Sequence, residues 1–474
     1  MALLYMKRTD RATPEVEVKA RKFINAGYQR LLTFEVPGGG FDWFGRAPAN
    51  VILTAYGILE FTDMAKVHEV DPAVVERAKA WLFSQQRRDG GWLSGHPTWT
   101  WAQVSDELET TAYVAWALAE AGARGRQLDA ALAYLRGSVG STTQAYTLAL
   151  AANALLAHYP NDPTGRRLVE RLQSAFTESG DGGYVASEGM GAMYSQGGCL
   201  DVETTALAVL AMLKTNQHPE AVKRALTWIS RQKDRQGTWG STQATILAMK
   251  ALLAGTGRQL GGDFHARMEV NVNGRPAGTL EVTPENSDLL QVLDLSQFLG
   301  TGSNAIQLRE THGAELPYQL VGSYWVPWKA PVSEPRKALE IGVEYDKTRL
   351  AVSDVMTCSV EVRNNTGRTV NMAIVDLGIP PGFGVDTTGF DKLVASGTLA
   401  KHDLTGNQCI LYLRDIETDA PLRFDYALKA RYPIRAKAPP TRVYEYYNPA
   451  NEAIAPAQEI VVETGPTAGL SGTR

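Results

Sequence analysis

The acidic residues of this 474-residue sequence are scattered, and no two aspartates are adjacent. Ionising an allylic diphosphate needs either clustered aspartates that hold Mg²⁺ or an aspartate-rich acid that donates a proton. The sequence lacks the residues for both routes. This argues against diphosphate chemistry before any fold is considered.

One pair of residues has the types that begin a zinc site, Cys199 and Asp201. A zinc centre would need a histidine to converge on them. We expect Asp201 to open a helix and cap its free amide groups, and Cys199 to precede it in the turn as a small apolar thiol. We therefore favour structural roles and expect no metal or cofactor.

The histidines show no i, i+4 pair of the kind that binds a metal. They are His68, His96, His158, His218, His265, His312 and His402. His96 stands apart because it shares one loop with three tryptophans. Trp92, His96, Trp99 and Trp101 are the candidate interaction surface of the chain, although aromatic loops at the rim of a helical ring usually pack inward.

Composition excludes several classes of function. The 47 basic and 51 acidic residues nearly balance, without long runs of one sign, so nucleic acid and anionic membranes are not expected partners. No apolar stretch approaches the roughly 20 residues that span a bilayer. Cys358 and Cys409 could pair across strands, but separate buried thiols are favoured.

A glycine-aromatic turn recurs through the first 258 residues, each time followed by an alanine- and leucine-rich segment of helical period. The turns are Gly38-Gly39-Gly40-Phe41, Gly90-Gly91-Trp92, Gly182-Gly183-Tyr184 and Gly237-Thr238-Trp239. Asp106 and Asp201 each precede such a segment and resemble helix caps. The repeat predicts helical hairpins.

Apolar and amphipathic segments alternate, which predicts inner and outer helices of an alpha/alpha toroid. The inner helices are expected near 48–63, 106–121, 143–157, 202–214 and 241–254, and the outer ones near 15–32, 72–86, 127–136, 163–177 and 218–232. Five hairpins leave such a ring incomplete. We expect a sixth hairpin upstream of Met1 and therefore a truncated start.

From about residue 262 the pattern changes to strands, and Asn273-Gly274 is a strong hairpin signal. A first beta unit should contain strands near 277–283, 289–295, 304–310 and 317–327. A second unit should be a sandwich with strands near 339–346, 355–363, 370–377, 408–414, 422–431 and 440–447, and a short helix near 386–393.

Several segments resemble the alpha-2-macroglobulin and complement family. Residues 24–32 (INAGYQRLL) and 42–45 (DWFG) are similar to the helices that follow the thioester motif of that family, and residues 371–376 (NMAIVD) and 442–449 (RVYEYYNP) to its receptor-binding domain. The resemblance implies a thioester-type toroid over 1–260, part of a CUB-like domain over 261–330 and a receptor-binding-like sandwich over 338–464. We expect residues 465–474 to be a disordered tail.

The resemblance also implies a protease trap that acylates amines through a Cys-Gln thioester, in which the Gln follows the Cys by three residues. Here Cys199 is followed at that position by Val202, and Cys358 and Cys409 by Glu361 and Tyr412. No thioester can form from these residues. The expectation is therefore a non-enzymatic part of a periplasmic or extracellular endopeptidase inhibitor.

Proteases and N-terminal macroglobulin domains are the partners that the resemblance implies. Two alternatives stay open at this point. One is an isoprenoid cyclase or prenyltransferase-like toroid enzyme, and the other is a stand-alone protein-binding module.

Overall fold

The structure is a computed structural model that describes most of the chain. It describes residue 3 and residues 14–43, 45–94, 106–234, 237–259, 265–283, 291–312, 318, 320, 322, 338–405, 408–418 and 420–464. These residues fall into two compact units, one before residue 323 and the other after it.

The first unit begins with helices, and the ten helices described between residues 14 and 259 agree with the prediction. They are α1 (Pro14–Leu32), α2 (Val51–Met64), α3 (Pro72–Ser84), α4 (Glu107–Glu120), α5 (Arg126–Ser138), α6 (Ala145–His158), α7 (Pro163–Ser174), α8 (Gly197–Thr215), α9 (Pro219–Arg231) and α10 (Thr242–Gln259). The even-numbered helices are inner and apolar around most of their circumference. The odd-numbered helices are outer, and each buries one face.

Capping residues set the starts of several helices. Asp106 accepts a hydrogen bond from the Leu108 amide at 3.3 Å, so its predicted capping role is confirmed. The prediction for Asp201 is wrong, because α8 begins at Gly197 and therefore includes both Cys199 and Asp201. The Asp201 carboxylate instead accepts from the Ser187 amide at 2.8 Å.

Each inner helix packs beside the next inner helix in sequence. Side-chain contacts near the N-terminal ends, such as Thr147 with Glu109, and near the C-terminal ends, such as Lys214 with Glu120, show that these helices run in parallel. At the C-terminal end, Lys214 of α8 donates to Glu120 of α4 at 2.8 Å. Lys250 of α10 lies 2.5 Å from Asp63 of α2, so the last inner helix reaches the first. The predicted alpha/alpha arrangement is confirmed.

The glycine-aromatic turns share one kind of hydrogen bond, which lies near the N-terminal ends of the inner helices. In four repeats a buried backbone amide donates to a threonine hydroxyl in the first part of the following inner helix. The pairs are Phe41 with Thr54, Trp92 with Thr111, Val185 with Thr205, and Trp239 with Thr245. The third pair involves Val185 rather than Tyr184, whose ring stacks on Trp228.

A small sheet follows the helices within the first unit. Before it in sequence, a hairpin of β1 (Phe176–Ser179) and β2 (Gly182–Val185) lies between α7 and α8. The small sheet itself contains β3 (Ala266–Val272), β4 (Arg275–Val282) and β5 (Ile306–Glu310) in the order β4-β3-β5. Asn273 and Gly274 both have positive φ, as the predicted tight turn requires. Residues 291–295 are not a strand, contrary to prediction.

The second unit is built mainly from strands. Its described elements are β6 (Leu339–Tyr345), β7 (Arg349–Ala351), β8 (Val355–Asn364), β9 (Val370–Gly378), β10 (Phe383–Asp386), α11 (Thr388–Ala395), β11 (Leu399–Thr405), β12 (Gln408–Ile416), β13 (Leu422–Ala430), β14 (Ile434–Lys437), β15 (Thr441–Glu445), β16 (Asn448–Ala455) and β17 (Glu459–Glu463). These strands form three sheets, with strand orders β10-β13-β8-β6, β11-β12-β9-β15-β16 and β14-β17-β7. All six predicted strands and the short helix are present.

Candidate functional site at the N-terminal end of the inner helices

Two carboxyl groups are buried where the inner helices begin. Glu109 of α4 is 7% exposed and Glu203 of α8 is fully buried. Each precedes by two residues the threonine that receives the turn amide, Thr111 or Thr205. The helical repeat therefore places both glutamates at equivalent positions near the axis of the ring.

Hydroxyl groups supply the hydrogen bonds that these carboxyls receive. Ser195 and Ser241 both donate to the Glu203 Oε1 atom, the latter at 3.3 Å. The hydroxyl of Thr147, on α6, donates to the Glu109 Oε2 atom at 3.3 Å. Three inner helices and the segment before α8 thus meet around the two acids.

Burial raises the pKa of both groups. It brings the pKa of Glu109 to about 8, with the Thr147 hydrogen bond acting in the opposite direction and nearby Asp106 and Glu203 adding to the increase. It brings the pKa of Glu203 to about 7, against the hydrogen bonds from Ser195 and Ser241. Near neutral pH Glu109 is mainly an uncharged acid.

Two polar atoms in this cluster, Glu109 Oε1 and Gln243 Oε1, have no hydrogen-bond partner among the residues that the structure describes. The Tyr146 hydroxyl bonds to the Glu203 carboxyl, whose pKa it lowers, and to the Ala192 backbone. Most buried polar atoms in folded proteins are paired. We name this group of side chains, together with Ser195 and Ser241, the polar cluster.

The polar cluster is not equipped as a nucleophilic site. The Cys199 thiol lies 3.7 Å from the Trp239 carbonyl oxygen, and burial raises its pKa to about 11. A thiol with such a pKa is protonated and therefore unreactive at neutral pH. Within the described ranges, no set of three His, Cys, Asp or Glu side chains is placed to hold a metal ion.

Of the predicted interaction surface, only Trp92 lies within the described residues. Its side chain is fully buried, and its indole N–H donates to the Leu82 carbonyl oxygen at 2.7 Å. Trp92 is therefore a packing residue at the end of α3 and offers no face to a partner, which corrects its assignment. His96, Trp99 and Trp101 lie outside the described residues, and their role stays a prediction.

The structure brings together two histidines that are distant in sequence. The rings of His265 and His312 meet edge to face, with their centroids 4.8 Å apart. Glu310 lies beside them, with an oxygen 4.0 Å from the His312 Nδ1 atom. Neither histidine was expected to have a partner from spacing alone, and the pair stands at the edge of the small sheet rather than at the polar cluster.

Sequence reasoning missed Glu109 and Glu203. The available signal was a shared Glu-Thr-Thr-Ala, at 109–112 and 203–206, inside segments that are otherwise apolar. A carboxylate on the buried face of an inner helix is rare unless it is paired or neutral. The repeated position marks both glutamates as features of the ring interior.

Comparison with protein families finds two matching domains, one in the N-terminal half of the chain and one near its C-terminus. The A-macroglobulin TED domain matches residues 1–254, and the A-macroglobulin receptor binding domain matches residues 368–457. Since the first match covers more than half of the chain, the protein belongs to the alpha-macroglobulin family. Within that family, the order of the two matched domains corresponds to the C-terminal portion.

Two curated relatives match almost the whole chain. Ovostatin from Gallus gallus is 25% identical over 480 residues, covering 95% of this chain and 31% of ovostatin. Thioester-containing protein 1 allele R1 from Anopheles gambiae is 23% identical over 459 residues, covering 92% of this chain and 32% of its own length. The chain thus spans about a third of the length of these relatives.

Solved structures share the fold. Salmonella alpha-2-macroglobulin reacted with methylamine superposes with a TM-score of 0.63 and 17% identity, covering 96% of this chain and 28% of that one. Native alpha-2-macroglobulin from Escherichia coli, spanning domain MG7 to the C-terminus, superposes with a TM-score of 0.65 and 16% identity. The match covers 97% of this chain and 70% of that one.

Proposed function

We propose that this chain is the C-terminal portion of an alpha-macroglobulin-like protein that contributes to endopeptidase inhibition as a scaffold, without thioester chemistry of its own. The observation that carries the proposal is the pairing of a TED domain and a receptor binding domain with a sequence that has no Cys followed by Gln at the third position. The contribution that we propose for this chain is steric enclosure of the protease.

The state of the three thiols supports this proposal. Cys199, Cys358 and Cys409 are all free and buried. Burial raises the pKa of the Cys358 thiol to about 11 and that of Cys409 to about 12. Neutral, enclosed thiols neither form an acyl link nor attack one.

The isoprenoid-enzyme alternative gains no support from the polar cluster. Holding a diphosphate through Mg²⁺ needs ionised carboxylates. Glu109, with its raised pKa, is mainly protonated at neutral pH, and the two glutamates are closed in by protein. The family match leaves the non-enzymatic scaffold as the better account.

We further propose that the protein acts outside the cytoplasm, in the periplasm or the extracellular space, as the resemblance implies. None of the described helices has the length and apolar character needed to cross a bilayer. Its partners are proteases, met through the full-length parent, and N-terminal macroglobulin domains. Nucleic acid is not among the proposed partners, because the charges of the chain nearly balance.

A two-substrate inhibition assay tests the proposal. The chain is combined with the N-terminal macroglobulin domains of its parent and with a panel of proteases, and cleavage of a large protein and of a small peptide is followed. Steric enclosure predicts loss of the first activity and retention of the second. Equal cleavage of both substrates with and without the chain would contradict the proposal.

The same assay separates the scaffold from a stand-alone binding module. A module binds its protein partner when the chain is alone, and the macroglobulin domains change nothing. The scaffold affects proteolysis only when those domains are present. Pull-down of the isolated chain against the proteases and against the macroglobulin domains provides the matching binding data.

A further inference from the structure

The segment between β2 and α8, residues 186–196, closes over the polar cluster, and we call it the strap. Its middle approaches the inner helices closely: a Cβ atom on Gly191 would lie 3.2 Å from the Tyr146 ring and 2.8 Å from a Leu200 methyl group. Met193 is only 9% exposed and Ser195 is fully buried. The strap therefore separates the polar cluster from solvent at this side.

Side-chain hydrogen bonds to α8 anchor the strap near its two ends. The Ser187 amide donates to Asp201, and the Ser195 hydroxyl donates to Glu203. Between them the strap forms a turn in which the Tyr194 amide donates to the Gly191 carbonyl at 2.8 Å. The Ala192 backbone bonds to the Tyr146 hydroxyl, and the Tyr194 ring contacts Trp43. Tyr194 has a φ of 67°, a left-handed conformation that is costly for a residue with a side chain.

The groups around Glu109 and Glu203 offer no positive charge among the described residues. The titratable groups that act on this region are Tyr56, Glu60, Asp106, Tyr113, Tyr146, Cys199 and Asp234, together with the two glutamates themselves. All of them are acids. An ionised carboxylate buried here would lack a compensating cation, and such a charge is costly to keep away from water.

We propose that the protonation of Glu109 and Glu203 controls the strap: it stays closed while both carboxyls are neutral and opens to admit water when they ionise. The strap is the element that opens because its Ser195 anchor rests on Glu203 itself and its turn is conformationally costly. The other walls of the polar cluster are inner helices with long apolar contacts.

The sign of the dependence follows from the raised pKa values. The closed state binds protons more tightly than an open, hydrated state, in which the carboxyls regain ordinary pKa values. Closure is therefore favoured at low pH and weakens as pH rises from the ordinary carboxyl value of 4.5 up to about 7 and about 8, the pKa values of Glu203 and Glu109 in the closed state. This device concerns the helical unit alone and does not depend on protease trapping.

Oxidation of Met193 by hydrogen peroxide, followed by peptide mass spectrometry, reports strap opening. We expect Met193 to oxidise roughly tenfold faster or more at about pH 9 than at about pH 6, since each pH unit between the open-state and the closed-state pKa of a carboxyl changes the opening equilibrium by up to tenfold. Met212 and Met356, at 1% and 0% exposure, serve as internal references that should stay protected at both pH values.

Three variants test the role of the carboxyls. The double variant Glu109→Gln/Glu203→Gln keeps the size of both side chains but cannot ionise at either position, so Met193 should be protected at both pH values. Glu188→Gln changes an exposed carboxyl on the strap itself and should behave like the unmodified protein. Ser195→Ala removes the anchor and should leave Met193 reactive at both pH values.

The wild-type chain alone decides the proposal if a variant fails to fold. Equal Met193 oxidation at both pH values, with circular dichroism showing intact helices, would overturn it. Persistence of the pH dependence in a folded Glu109→Gln/Glu203→Gln chain would overturn it as well.

Discussion

At the scale of residues, the feature that matters most is the pair of acids inside the ring, because their charge state and not their identity decides what they do. Ionised, Glu109 and Glu203 would be metal or substrate ligands; neutral, they are hydrogen-bonding groups of the interior. Burial without a cation among the described residues favours the neutral form. This is why an acidic ring interior accompanies a protein that we propose to be a scaffold.

Glu109→Gln tests the neutral state through stability. The folded-state pKa of Glu109 is raised from 4.5 to about 8, so the folded chain holds this proton more tightly than the unfolded chain. Wild-type stability should therefore fall as pH rises from the unfolded value towards the folded one. The variant, which cannot ionise, should be more stable than wild type by roughly 2–4 kcal/mol near pH 8.

Urea unfolding followed by circular dichroism measures this difference. Near pH 5 the advantage of Glu109→Gln should largely disappear, because both chains are then neutral at this site. Glu107→Gln provides the matched control on the same helix, since it removes only an exposed ion pair with Arg87, which contributes little to stability. A Glu109→Gln chain less stable than wild type near pH 8 would show that the carboxylate is ionised and paired.

At the scale of elements, the threonine that receives each turn amide explains why the glycine-aromatic turns recur. In the second repeat the Thr111 hydroxyl accepts a hydrogen bond from the buried Trp92 amide at 2.9 Å. This bond satisfies the amide without a partner strand. The turn, the hydroxyl and the following inner helix therefore form one unit. The repeat seen in the sequence is a repeat of this unit.

Thr111→Val should destabilise the helical unit by about 1–3 kcal/mol, because the nearly isosteric side chain leaves the Trp92 amide buried without an acceptor. Thr177→Val, at an exposed position of β1, should change stability little. Thermal unfolding of both variants checks the difference. Equal effects at the two positions would mean that the threonine hydroxyl does not pair with the turn.

The helices could be predicted from the sequence because their apolar period is long and repeated, and all ten predicted helices between residues 14 and 259 are present. Short strands carry less pattern. The β1–β2 hairpin was missed because its four-residue strands lie directly after the amphipathic α7, and β16 because its sequence NPANEAIA consists mainly of residues with low strand propensity. Each of these strands is stabilised by pairing across a turn, β1 with β2 and β16 with β15.

The site could be predicted only in part. Spacing excluded a thioester and clustered aspartates, since both require fixed sequence distances. It could not show that Glu109, Glu203 and Gln243 meet, because their proximity arises from the packing of three different inner helices. It also could not show that Trp92 points inward, since an aromatic residue in a loop serves either packing or binding.

At the scale of the whole molecule, the two ends of the inner helices are chemically different. The N-terminal end contains neutral acids, whereas the C-terminal end contains ion pairs between Lys214 and Glu120 and between Lys250 and Asp63. Burial would raise the pKa of Asp63, but Lys250 and Lys66 outweigh this effect and the pKa is lowered. These pairs join inner helices that are not neighbours in sequence.

Lys250→Met should destabilise the helical unit by about 1–3 kcal/mol, because it removes the link between α10 and α2 and leaves Asp63 partly buried without this cation. The double variant with Asp63→Asn should recover part of the loss. Urea unfolding of the single and double variants gives the coupling energy. Additive losses would show that the ion pair does not join the two helices.

The central proposal is that the residues of this chain carry no acyl-transfer chemistry of their own. Intact-mass spectrometry after incubation with methylamine, combined with thiol titration of the unfolded chain, tests it most directly. The account predicts an unchanged mass and three titratable thiols per chain, from Cys199, Cys358 and Cys409. A methylamine adduct, or a thiol that is released only by the amine, would contradict it.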